Sequence, residues 1–179
     1  SVGTLNGDFG TTTWNGGMHF LLEVNDAAGT PGVSPGWDLF NTTGGLSLVA
    51  GTSPSEQIVV DFASLAEATP GSAANFNPDW NYAWKFVVAG APVASPGNAF
   101  NPSWFRVDTT NFQNLPNHAE RFYVARGDQL PNLPNFGGGE STELFVVYAA
   151  VPEPSTICLA ACGLAVLVVA ARRRRGRAA

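Results

Sequence analysis

The chain has 179 residues, of which 45% are hydrophobic and 13% are charged, and this predicts one globular domain with a real core. All 14 acidic residues lie at or before Glu153, whereas five of the nine basic residues fall in the last eight positions. Residues 1–155 hold four basic and 14 acidic side chains, a net charge of −10. That body has no basic stripe for a phosphate backbone, so no nucleic-acid partner is expected.

Short β-branched or aromatic runs alternate with turn residues along the first 150 positions, and no long helical period appears. Tyr82, Trp84 and Phe86 alternate with other residues and are expected to share one face of a strand. One short helical turn is expected within Ala66–Pro78. The predicted strands are Met18–Val24, Trp37–Phe40, Leu46–Ala50, Gln57–Phe62, Tyr82–Val88, Trp104–Val107, Phe122–Arg126 and Leu144–Ala150.

Turn chemistry separates these runs at Asn25–Gly29, Pro35–Gly36, Thr43–Gly45 and Gly137–Gly139. The pattern predicts an all-β body, 1–150. Spacing alone leaves open whether the strands stack as a β-solenoid or pair as a β-sandwich, because no repeat of fixed period is visible.

Candidate chemistry in this body is sparse. His19 and His118 have no partner at metal-ligand spacing, and neither a Gly-x-Ser-x-Gly elbow nor a phosphate loop occurs. We therefore predict no catalytic residue, no metal and no cofactor, and expect a protein that is not an enzyme.

Two acid-based alternatives stay open. A secreted glycosidase could pair Glu23 with Asp38 or Asp61, although 14 acids yield many accidental pairs. Calcium could bind through Asn25, Asp26 and Asp38, but neither an EF-hand nor a nonapeptide repeat supports this.

The five tryptophans offer a third alternative, a carbohydrate-binding module, because indole rings can stack on sugars. Core packing is the competing explanation. A coplanar outward row of two or more indoles would favour glycan binding, whereas buried indoles in a solenoid stack would favour a structural or adhesive protein. The tryptophans are Trp14, Trp37, Trp80, Trp84 and Trp104.

The C-terminal segment 156–171 is almost wholly apolar and predicts one transmembrane helix. Sixteen residues make a helix of about 24 Å, which spans a bilayer of about 30 Å only with snorkelling or local thinning. Cys158 and Cys162 are interpreted as small apolar filler in it.

A basic tail, 172–179, follows the helix and should stay cytoplasmic, which places the acidic body on the far side of the inner membrane. The membrane-orienting cluster consists of Arg172, Arg173, Arg174, Arg175 and Arg177.

Immediately before the helix stands the motif Val151-Pro152-Glu153-Pro154-Ser155, whose two prolines hold the chain extended. Motif, apolar helix and arginine cluster in this order resemble the PEP-CTERM sorting domain. The resemblance implies that the motif, residues 151–155, is recognised by an exosortase, a membrane-embedded protease or transpeptidase, which removes the helix and arginines. It implies an exported bacterial protein that passes from the inner membrane to the cell surface or the medium, with extracellular polysaccharide as a possible associate.

Two further expectations concern the body. The start Ser1-Val2-Gly3-Thr4 lacks the secretory signal of such proteins, and we interpret the chain as truncated. The motifs Trp14-Asn15-Gly16-Gly17 and Pro35-Gly36-Trp37-Asp38 loosely resemble the C-terminal passenger region of autotransporter-like β-strand-repeat proteins.

Overall fold

A computed structural model describes residues 1–7, 10–94, 99–115, 118–130 and 139–150, and residues 1–149 form one compact unit. Eleven strands lie in these ranges, joined by turns and three short 3₁₀ helices. The strands are β1 (Thr4–Gly7), β2 (Thr11–Asn15), β3 (His19–Val24), β4 (Leu39–Thr42), β5 (Gly45–Val49), β6 (Ile58–Ala66), β7 (Thr69–Pro70), β8 (Tyr82–Ala89), β9 (Phe105–Asp108), β10 (Phe122–Arg126) and β11 (Glu143–Tyr148). The 3₁₀ helices are Pro102–Trp104, Ala119–Arg121 and Gly127–Gln129.

Three parallel ladders organise the strands. β1 pairs with β4 and β4 with β8; β2 pairs with β5; β3 pairs with β6 and β6 with β9. A parallel bridge from Ser47 to Ala94 extends the second ladder. The chain therefore adds to the three ladders in the same order three times. The first pass contributes β1, β2 and β3, the second contributes β4, β5 and β6, and the third contributes β8, the bridge residue Ala94 and β9.

An antiparallel pair completes the first ladder. β11 runs antiparallel to β8, with a register shift between Leu144 and Phe145, and β10 runs antiparallel to β11. The first sheet thus has the order β1, β4, β8, β11, β10. β1 is one edge strand of this sheet, and β10 is the other.

Strand alternation determines the core. Tyr82, Trp84 and Phe86 of β8 are buried while Ala83 and Lys85 between them are half-buried, as the period of two predicts. Inward aromatic side chains form two groups of neighbouring rings. One group contains Trp14, Phe20, Phe40 and Phe86. The central aromatic group contains Phe62, Phe76, Tyr82, Trp84, Phe112, Phe122 and Tyr148.

The turn between β2 and β3 requires glycine for two reasons. A Cβ on Gly16 would lie 2.2 Å from the carbonyl oxygen of Glu56, and Gly17 has φ of +80°. The backbones of this turn and of the Glu56 loop therefore approach to a distance that no side chain permits.

The structure confirms the all-β prediction, and a strand lies at or near each of the eight predicted positions. It adds β1, β2 and β7. The predicted helical turn in Ala66–Pro78 is wrong: β6 runs on to Ala66 and reverses into β7. The side chain of Asn25 explains the reversal, because it binds both the N–H and the C=O of Glu67, which has φ of +61°.

The helices in the described ranges are three-residue turns, and none of them has the length or apolar character to cross a membrane. The predicted transmembrane helix, 156–171, lies outside the described residues.

Candidate functional site

A concave site of about 460 Å³ lies where β1 and β3 meet the start of β4. Its walls include Leu5, His19, Phe20 and Asp38. Of the acids in the glycosidase hypothesis, Asp38 lines this site, and Glu23 is its hydrogen-bonded neighbour. Whether they can act as acid and base depends on what their oxygens already bind.

Asp38 connects two strands through its carboxylate. One oxygen accepts a hydrogen bond from the N–H of Gly3 and the other from the N–H of Glu23, each at 2.9 Å. Burial raises the pKa of Asp38, and this effect outweighs the two hydrogen bonds, which act to lower it. Since both oxygens hold backbone N–H groups, Asp38 serves to fix the start of β1 beside β3.

The other two acids of the glycosidase hypothesis have separate partners. The Glu23 carboxylate accepts a hydrogen bond from the amino group of Ser1 at 2.8 Å. The Asp61 carboxylate lies 2.9 Å from Nδ1 of His19, across the β3–β6 ladder on the outer face. The structure thus places Glu23 beside Asp38. At least one carboxylate oxygen of each is already hydrogen-bonded, so neither side chain offers a free carboxylate to a cleft.

The residues of the calcium hypothesis do not converge. Asn25 binds the backbone of Glu67, Asp26 accepts hydrogen bonds from the Asn75 amide and the Ala28 N–H, and Asp38 holds the two backbone groups described above. Within the described ranges, no group of three or more His, Cys, Asp or Glu side chains is placed to hold a metal ion.

The tryptophans divide into a buried set and one exposed residue. Trp14, Trp37, Trp84 and Trp104 are buried, and the indole N–H groups of Trp37 and Trp84 donate to the carbonyls of Lys85 and Ala27. Trp80 is 62% exposed, in a loop that the hydroxyls of Tyr82 and Tyr148 hold through Asn75 and Pro78. One exposed indole does not form the coplanar row that a sugar-stacking surface requires.

Sequence reasoning missed the strands β1 and β2 and the role of Asp38. β1 and β2 are rich in threonine and asparagine, which weakens the apolar signal of a strand. A period of two in Thr12 and Trp14 was the sequence signal that could have predicted β2. Both side chains lie opposite buried leucines of β5.

His118, the second candidate histidine, lies 3.0 Å from the Glu120 carboxylate. The Glu120 side chain is exposed, whereas that of His118 is half-buried. This contact lowers the pKa of Glu120. The pair joins two residues that are close together in sequence.

The predicted sorting residues, Val151–Ser155 and the arginine cluster, lie outside the described residues, as do Cys158 and Cys162. Their evidence comes from comparison with known families. No curated protein and no solved structure matches this chain, so the resemblance to autotransporter-like passenger regions is not supported.

Residues 150–175 match the PEP-CTERM protein-sorting motif. The match confirms the sorting segment that was predicted from the order of motif, apolar run and arginines. The chain therefore carries the signal of an exported protein that an exosortase processes at the membrane.

Proposed function

We propose that this protein is a non-enzymatic cell-surface or extracellular-matrix component, exported across the inner membrane and released from its C-terminal signal by an exosortase. The sorting-motif match at residues 150–175 carries this proposal. The distribution of charge supports it, because every acid precedes the apolar segment and the terminal arginines follow it.

The proposed recognition element is Pro152-Glu153-Pro154. Two prolines remove backbone donors and keep the chain extended, a form that a protease groove accepts. Glu153 is the last acid before the apolar segment, so it offers one anion at a fixed distance from the membrane surface. The arginine cluster retains the C-terminus in the cytoplasm while cleavage occurs. These residues are the substrate of the exosortase, and the proposal assigns the body no part in the cleavage.

For the body we propose a structural or adhesive role on a solenoid-like frame. The repeated visit to three parallel ladders supports the solenoid-like alternative over the sandwich. The burial of four tryptophans supports a packing role for them, and the full use of the Asp38 oxygens argues against acid catalysis at the concave site. Extracellular polysaccharide is the associate we propose for such a surface.

The test is the intact mass and C-terminal peptide map of the protein recovered from the envelope and medium of its host. We expect the native chain to end near residues 151–155 and the Glu153→Ala variant to keep its arginine tail in the inner membrane. Glu120→Ala is the matched control, since this exposed glutamate lies in the body, and its chain should be cleaved normally. Complete tails on both the native chain and Glu153→Ala would refute the proposal.

A second variant replaces all five arginines of the cluster by alanine. Without the positive charges the C-terminus is no longer held in the cytoplasm. We expect uncleaved protein or protein of mixed orientation, detected by protease protection of the body in spheroplasts. An unchanged orientation would show that the cluster has no topological role.

A further inference from the structure

The connections that lead from the third ladder back to the first lie together at one corner of the body. The Ala27 N–H donates to the Ala74 carbonyl at 2.9 Å and joins the first connection to the second. The side chain of Asn114 binds both the N–H and the C=O of Ala73 and joins the third connection to the second. The three connections are residues 25–38, 67–81 and 109–121, which follow β3, β6 and β9.

The chain leaves the body at the same corner. β11 runs antiparallel to β8, and its last residue, Tyr148, lies opposite Tyr82, the first residue of β8. Ala149 then donates its N–H to the carbonyl of Arg121 at 3.0 Å and is the last residue of the compact unit. Because residues 67–81 lead directly into β8, the chain passes out of the body beside that connection. We call the three connections together with Ala149 the exit corner.

The exit corner presents one exposed indole on a firmly held loop. Trp80 is 62% exposed and lies two positions before β8. The Tyr148 hydroxyl donates to the Pro78 carbonyl at 2.7 Å, and the Tyr82 hydroxyl accepts a hydrogen bond from the Asn77 N–H at 2.8 Å. Both tyrosines are buried, so the loop is tied to the core. Binding through Trp80 therefore costs little conformational entropy.

The chemistry of this corner suits a lipid interface. An indole joins a large apolar ring to one N–H donor, and such side chains favour the boundary between lipid head groups and acyl chains. Asp79 and Glu120 are exposed acids at the corner, whereas Arg121 is half-buried. A contact with lipid here therefore depends on the indole and not on attraction to anionic head groups.

The length of the following chain keeps the exit corner near the membrane. The apolar segment begins at Thr156, seven positions after Ala149. An extended chain advances at most about 3.6 Å per residue, so the link is no longer than about 25 Å. So short a link gives the corner a high effective concentration at the bilayer surface, and even a weak contact is then populated.

We infer that Trp80 inserts into the lipid interface and holds the exit corner against the membrane while the sorting tail is attached. The occupant of this surface is the bilayer itself. A single indole binds a bilayer weakly once the link is cut, so cleavage frees the body from the membrane. The inference rests on the membrane stage of the proposed function.

The experiment uses the full chain reconstituted into phosphatidylcholine vesicles, with or without bromine atoms on the acyl chains near the head group. Bromine quenches the fluorescence of nearby indoles. Residues 150–179 contain no tryptophan, and four of the five indoles of the body are buried. We expect brominated lipid to remove the Trp80 component of the emission. Trp80→Phe measures any quenching of the four buried indoles and should lose almost no emission.

A matched control moves the exposed indole to another corner. Val49 is 50% exposed at the end of β5, and its carbonyl accepts a hydrogen bond from the Gly16 N–H in the turn between the second and third ladders. The double variant Trp80→Phe, Val49→Trp should keep its emission in brominated lipid. Circular dichroism of each variant checks that the strands are retained.

Three results would overturn the inference. Equal quenching of indoles at positions 80 and 49 would mean that the body has no fixed orientation at the bilayer. An unquenched Trp80 in a chain that floats with the vesicles would leave a protein or a glycan as the partner of this corner, and the sorting proposal would stand. A chain that does not float with the vesicles would overturn both the inference and the membrane stage of the proposed function.

Discussion

The outer strand β3 and its central neighbour β6 use the same strand alternation but bury their inward side chains to different extents. Phe62 on β6 is fully buried and contacts the rings of Trp84, Phe112 and Phe122. Phe20 on β3 also points inward, yet it is only half-buried and contacts Trp14 and Phe86. Alternation selects the face of a strand, whereas burial depends on neighbours on both sides of the ladder.

The largest effect should come from deleting an aromatic ring at the centre. Phe62→Ala leaves a cavity among three other rings and should lower the free energy of unfolding by about 3–5 kcal/mol. Phe20→Ala removes the same ring from a partly hydrated position and should lower it by about 1–2 kcal/mol. Urea unfolding of the full chain, followed by tryptophan fluorescence, measures both. Equal losses would show that Phe20 on β3 is packed as tightly as Phe62 on β6.

An intermediate effect should follow from Asp38→Asn. The amide keeps one acceptor oxygen but turns a donor toward a backbone N–H, so one of the two hydrogen bonds to Gly3 and Glu23 is lost. We expect a loss of about 1–3 kcal/mol in the free energy of unfolding.

Asp61→Asn is the control for that change, because Asp61 makes a half-exposed contact with His19 and should contribute less than about 1 kcal/mol. Hydrogen exchange of the β1 amides adds a local readout. Unchanged exchange in β1 of Asp38→Asn would contradict the role of Asp38 in fixing the start of that strand.

The smallest effect concerns the pH dependence of the free energy of unfolding, to which Asp128 and Asp38 should contribute with opposite signs. The guanidinium of Arg126 lowers the pKa of Asp128 below the ordinary value of 3.8, so its stabilisation is present above that value and is lost as pH falls through the lowered pKa. Burial raises the pKa of Asp38, so ionisation there destabilises the fold as pH rises from about the ordinary value through the raised one.

Unfolding measured between pH 2 and pH 7 tests both signs. Asp128→Asn should flatten the acid side of the profile slightly, by less than about 1 kcal/mol because the pair is solvent-screened. Asp38→Asn should remove a contribution to the free energy of unfolding that decreases as pH rises. If both variants changed the slope of unfolding free energy against pH in the same direction, the opposite pKa shifts assigned to Asp128 and Asp38 would be contradicted.

Local sequence information was sufficient for features that depend on neighbours along the chain. The alternation of Tyr82, Trp84 and Phe86 identified the buried face of β8, and apolar runs located eight of the eleven strands near their observed positions. The order of Pro-Glu-Pro motif, apolar run and arginines identified the sorting segment, which the family match confirms. Each of these signals is carried by residues close together in sequence.

Residues distant in sequence decided the rest. The Ala66–Pro78 segment was expected to contain a helical turn, but Asn25, about forty positions earlier, binds Glu67 and stabilises a strand reversal. The acids chosen as catalytic candidates proved to hold backbone N–H groups or surface partners, because a carboxylate does not reveal in sequence which donors will reach it.

Alternation, turn chemistry and motif order are local properties, so they predict the all-β composition, the faces of the strands and the C-terminal sorting signal without knowledge of the fold. Long-range contacts establish the parallel pairing of β1 with β4 and of β4 with β8. They also account for the burial of four tryptophans, the exposure of Trp80 and the exposure of Leu5. Ladder pairing joins segments that are tens of residues apart in sequence, and the burial of a side chain depends on which of these segments the fold places beside it.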